Sequence, residues 1–138
     1  MNDFFYIMVL SHNLKVGFGI TGAVYTRIYD YIAGSAELQS FKYLFYGDQE
    51  HISLIEANLK KEWRRHLWSV YKGNKWKLEV LDKSSNISAE DVKTWVEATI
   101  DTLDLSVREV KNEWLPYRGD KRVKRKFINL NPDLYLEP

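Results

Sequence analysis

Four residue types in this chain carry the chemistry of phosphate groups, and their places are unusual. Ile52, Glu56, Leu59 and Trp63 recur at helical spacing, so Glu56 is a carboxylate inside an apolar stripe. Such a group is costly unless it is paired or binds a cation. A lone carboxylate of this kind suits Mg²⁺ or Mn²⁺, which keeps several waters and shares substrate phosphate oxygens. The structural alternative is a rim position paired with Lys60, one turn on. Arg27 sits amid tyrosines in "VYTRIYDY", next to the sheet-facing positions Val24 and Ile28. A guanidinium there can hold a phosphate through two parallel hydrogen bonds, or it is an ordinary solvated arginine. Tyr6 closes "FFY" and can position a proton, or it is a core tyrosine. Gly17 and Gly19 alternate in "KVGFGIT", so one side of that strand is bare. Glycine in a strand marks close approach of a ligand or of backbone, and the structural alternative here is close packing against the helix that follows. There is no G-x-G-x-x-G and no Walker lysine, so this is not a nucleotide-binding loop of either kind.

These residues need elements to hold them. Asp3–Leu10 and Leu14–Ile20 read as two strands joined by "SHN", an antiparallel hairpin. Thr21 caps a helix running to about Ile32, which Gly34 ends. Ser40–Tyr46 reads as a third strand. Gly47 and Asp48 turn the chain, and Asp48 caps a helix to about His66. Residues 67–81 alternate around "KGN" and suggest a further strand or hairpin. Ser88 caps a helix whose Val92, Trp95, Val96, Thr99, Ile100 and Leu103 form one stripe. Ser106 with Glu109 fits a capping box, so a second helix is expected there, stopped by Pro116. The order predicts an α+β fold: a small antiparallel three-stranded sheet flanked by helices, with a helical C-terminal extension. A core at 1–82 and an extension with a basic tail at 83–138 are the expected units.

Composition bounds the function. The chain has 138 residues, 45% of them apolar, and no cysteine, which excludes a disulfide scaffold, a thiol nucleophile and thiolate zinc. No apolar run is long enough to span a membrane, and no secretory pattern opens the chain, so an intracellular, cytoplasmic protein is expected. The net charge is only +1, but it is segregated. Residues 60–77 hold seven Lys/Arg against Glu62, and 118–126 hold six against Asp120. Residues 89–113 hold seven acids against three bases. Basic runs interleaved with Trp63, Trp68, Tyr71 and Trp76 suit backbone contact and base stacking; the same aromatics also suit a core. The apolar stripe within 89–115 either covers the chain's own core or joins two copies into a homo-oligomer.

Taken together, Tyr6 ending the first strand, Gly17-Phe18-Gly19 before Thr21, Arg27 six residues later and Glu56 in "SLIEANLKKEW" resemble the GIY-YIG nuclease superfamily, in its divergent, phage-rich branch. The likeness covers about residues 3–80. It implies a metal-dependent endonuclease acting on DNA, with RNA not excluded. Tyr6, Arg27 and Glu56 would be catalytic, with Glu56 as the ligand of Mg²⁺ or Mn²⁺. Gly17, Gly19, Thr21, Tyr25, His51, Lys60, Arg64 and Asn74 are the expected substrate contacts. Phe4 and Phe5 stand where the family's first motif has Gly and Ile, and Gly17 stands at its second tyrosine. Either Tyr25 or His51 supplies that missing hydroxyl's role, or the fold binds nucleic acid without cutting it.

Overall fold

The computed structural model describes residues 2–10, 15–21, 41–72, 75–81, 86–115 and 131–138. Its spine is strand β1, Asn2–Leu10. Strands alternate their side chains, and both sets in β1 are apolar. Phe4, Tyr6 and Met8 enter one buried cluster, and Phe5 and Ile7 enter another. A strand covered on both faces reads as a continuous apolar run, which is why "FFYIMVL" shows no polar alternation.

The expected hairpin forms. Strand β2, Lys15–Thr21, pairs antiparallel with β1, placing Gly19 opposite Tyr6 and Gly17 opposite Met8. Strand β3, Tyr43–Asp48, lies on the other side of β1, with Phe45 opposite Phe5. It begins later than the sequence suggests, and Gly47 belongs to the strand rather than to a turn. Asp48 then caps helix α1, Gln49–Glu62: its carboxylate accepts from the Glu50 and His51 amides at 2.9 and 3.3 Å. A short 3-10 turn, Arg64–His66, follows, and the hairpin of β4 (Leu67–Lys72) and β5 (Lys75–Leu81) comes next.

Helix α2, Ala89–Leu103, starts at the expected Ser88, which exchanges hydrogen bonds with Asp91 in a capping box. Its Ala89, Val92 and Val96 pack with Ile52, Ile55 and Leu59 of α1 against Phe5, Ile7 and Phe18. The second helix expected from Ser106 is instead strand β6, Val107–Glu109, paired with β3. The capping box is not made because both its members are engaged elsewhere. The Ser106 amide donates to His51 Nδ1 at 2.9 Å, and Glu109 binds Lys93 at 3.3 Å. A one-turn helix α3, Pro132–Tyr135, caps the opposite face through Tyr135 and Leu136.

Among the described residues the sheet thus has six strands in the order β4-β5-β2-β1-β3-β6, not three. Every described pairing is antiparallel. Both halves of the chain contribute to it: α2 and β6 share core and sheet with the strands before residue 82. The α+β class stands. The part after 82 is mixed rather than helical.

Candidate nucleic-acid interface

Of the expected catalytic residues, Tyr6 and Glu56 do not converge. Tyr6 is fully buried, its ring stacked on Phe41 with centroids 4.7 Å apart. The bare side of β2 is where that ring goes. A Cβ added at Gly19 would lie 2.6 Å from Tyr6 Cζ and would collide with its hydroxyl. Gly19 therefore admits the Tyr6 ring of the neighbouring strand, a contact that the sequence did not suggest. Glu56 belongs to α1, which packs on the Phe5 and Ile7 face, whereas Tyr6 belongs to the Phe4 and Met8 face. The sheet stands between them. Thr21, beside Gly19 at the end of β2, is buried as well.

Glu56 is half-buried, with 22% of its side chain exposed, and its Oε1 holds Lys60 Nζ at 3.4 Å. The carboxylate in the apolar stripe thus has the partner one turn on that helix spacing offers. Among the described residues, no group of three or more His, Cys, Asp or Glu gathers to hold a metal ion. His51 is committed to the fold: its Nδ1 accepts the Ser106 amide, while the Ser106 carbonyl accepts the Asp48 amide at 3.1 Å. Gly47 makes this junction possible, since a Cβ there would lie 2.7 Å from Val107 Cα and collide with the Ser106 carbonyl. Tyr25, Arg27 and Asn74 lie outside the described residues, as does the basic run 118–126.

Sequence reasoning missed a second polar cluster. Lys93 of α2 binds Glu109 of β6, approaches Glu97 at 3.9 Å and lies over the Tyr43 ring, 4.7 Å from its centroid. Burial of Lys93 works to lower its pKa, but Glu109, Glu97 and Tyr43 outweigh it and raise it above the ordinary lysine range. Burial raises the Glu109 carboxyl, and Lys93 only partly opposes this. Burial and the Glu90 carboxylate raise the Tyr43 hydroxyl. On the other face, burial and the neighbouring Tyr46 push the Tyr135 hydroxyl up to about 12. The Lys93 cluster clips α2 to the sheet edge. Nothing at Tyr43, Lys93 and Glu109 signals it in sequence, because the three positions are far apart.

What the structure does bring together is the basic corner. Lys60 and Lys61 occupy the last turn of α1, and Arg64, Arg65 and His66 form the 3-10 turn beyond it. Lys61, Arg64, Arg65 and His66 are exposed. With Glu62 they line a shallow recess of about 290 Å³. Cations also suit a helix C-terminus, where the macrodipole is negative. On α2 the acids Glu90, Asp91, Glu97 and Asp101 are exposed. The α2 stripe is used within the chain: Val92 and Val96 are fully buried, and Leu103 is the exposed end of it at 46%. No helix among the described residues is long and apolar enough to cross a membrane. Compared with protein-family models, curated proteins and solved structures, the chain matches none.

Proposed function

We propose that this protein binds nucleic acid, presenting the corner formed by Lys60, Lys61, Arg64, Arg65 and His66 to the phosphate backbone. The observation that carries the reading is the segregation of charge on the folded surface. An exposed basic corner ends α1 and leads straight into the lysine-bearing β4–β5 hairpin, while the exposed acids collect on α2. Such a surface steers a polyanion to one side of a nearly neutral molecule. Backbone binding of this kind is driven by counterion release, so it weakens steeply with salt. The test is fluorescence anisotropy of a labelled duplex with wild type and an Arg64→Ala/Arg65→Ala variant. The pair of substitutions should weaken binding at least about fivefold, on the scale of about 0.5 kcal/mol per exposed charge contact. Unchanged affinity in a folded variant would refute the assignment of the corner.

A second reading, phosphodiester hydrolysis in DNA, rests on one residue. Glu56 is a half-buried carboxylate one and two turns before Lys60 and Arg64, so a phosphate drawn to those cations passes close to it. In the GIY-YIG resemblance Glu56 is the ligand of Mg²⁺ or Mn²⁺, which would polarise phosphorus and stabilise the leaving oxygen. Tyr6, fixed across the sheet, takes no part in that chemistry as placed here. Supercoiled plasmid incubated with Mg²⁺ or Mn²⁺, against EDTA, separates the readings. Metal-dependent nicking that Glu56→Ala abolishes supports hydrolysis. Binding without nicking leaves the protein a binding module.

A further inference from the structure

The β4–β5 hairpin does not lie fully within the sheet. Among the described residues, β5 pairs with β2 only at Val16–Leu81 and Gly17–Val80. Its pairing with β4 runs much further, through Ser69–Leu78, Val70–Lys77, Tyr71–Trp76 and Lys72–Lys75. The register shifts between Trp68 and Ser69, where the pairing with β2 ends. A bulge bends a strand and increases its twist. The outer part of the hairpin therefore leaves the sheet as a two-stranded ribbon. Four residues per strand at about 3.3 Å each give it a length of about 13 Å. Glu79 stands at the bulge; beyond it the ribbon's charged residues are Lys72, Lys75 and Lys77, and its foot is the Arg64–His66 turn.

We infer that this ribbon enters the major groove of B-form duplex DNA, with the arginine turn on the flanking phosphates. The inference rests on the nucleic-acid reading above and names its substrate class. Two features argue for it. The major groove of B-DNA is about 12 Å wide and about 8.5 Å deep, and it admits a two-stranded ribbon. The charge is complementary along the whole outer ribbon. A-form RNA has a deep, narrow major groove that protein side chains cannot read, so duplex RNA is excluded as the preferred partner. The rival role for these lysines is to keep an edge hairpin from pairing with other chains. That role predicts no DNA contact.

The experiment compares one labelled sequence as duplex DNA, duplex RNA and single-stranded DNA. It uses wild type, the triple variant Lys72→Ala/Lys75→Ala/Lys77→Ala and, as a milder change, Lys75→Ala. Folding is checked by circular dichroism. Dimethyl sulfate attack at guanine N7, a major-groove atom, reports the groove directly. Wild type should bind duplex DNA at least about tenfold more tightly than duplex RNA and should protect N7. At about 0.9 per phosphate contact, the triple variant should lower the slope of log affinity against log salt by about 2.7, and Lys75→Ala by about 0.9. Equal binding of duplex RNA, tighter binding of single strands, or N7 left reactive in the complex would overturn the groove assignment. So would variants that keep the wild-type slope. If wild type binds none of the three probes at low salt, the nucleic-acid reading itself falls.

Discussion

Gly19 and Tyr6 show how one residue decides between two readings of a motif. A bare glycine opposite an aromatic residue looks like a cradle for substrate, but the space is filled by the Tyr6 ring. Gly19→Ala should therefore destabilise the protein by about 1–3 kcal/mol, the usual cost of overpacking a closed core. Thermal unfolding of the variant checks this. An unchanged midpoint would mean that the glycine faces open space after all. Tyr6 itself was legible as a residue of interest. Its direction was not, because β1 is apolar on both faces and sequence cannot say which face a given position takes. Glu56 was legible together with its alternative: the pairing with Lys60 follows directly from i, i+4 spacing.

At the scale of elements, the local signals that stand alone in sequence are the ones the structure keeps. Asp48 and Ser88 cap α1 and α2 as their spacing predicts, and the two helices bury their regular stripes. Strand β6 was illegible for a physical reason. Three residues have no periodicity of their own, and the strand exists because Gly47 lets it approach β3 and His51 holds its entry. Glu109 gave the helical signal there, yet it serves the Lys93 clip across to α2. Its carboxyl is raised by burial from the ordinary 4.5, so the fold favours its protonated form. The stability this contributes is present below the ordinary glutamate range and is lost as pH rises through the raised value. The stability of wild type relative to Glu109→Gln should thus fall as pH is raised from about 4 to about 7. Urea unfolding of both proteins at several pH values measures it. A difference that grows in favour of wild type would show instead that the Lys93 ion pair dominates.

Over the whole molecule, charge segregation was legible in the sequence, and among the described residues part of it reaches the folded surface. The basic run at 60–66 becomes one exposed corner, and the α2 acids are exposed as well. The wider sheet was not legible as a three-stranded core, because its outer strands join through pairings distant in sequence, β5 to β2 and β6 to β3. The β4–β5 ribbon, which follows the arginine turn in the chain, joins that wider sheet only at its base.

The most direct measurement is the affinity of wild type for a labelled DNA duplex between about 50 and about 200 mM salt. Contacts from the corner and the ribbon to five or more phosphates predict a slope of log affinity against log salt of about −4.5 or steeper. Absence of binding at the lowest salt, or binding with a slope near zero, would contradict the account at its centre.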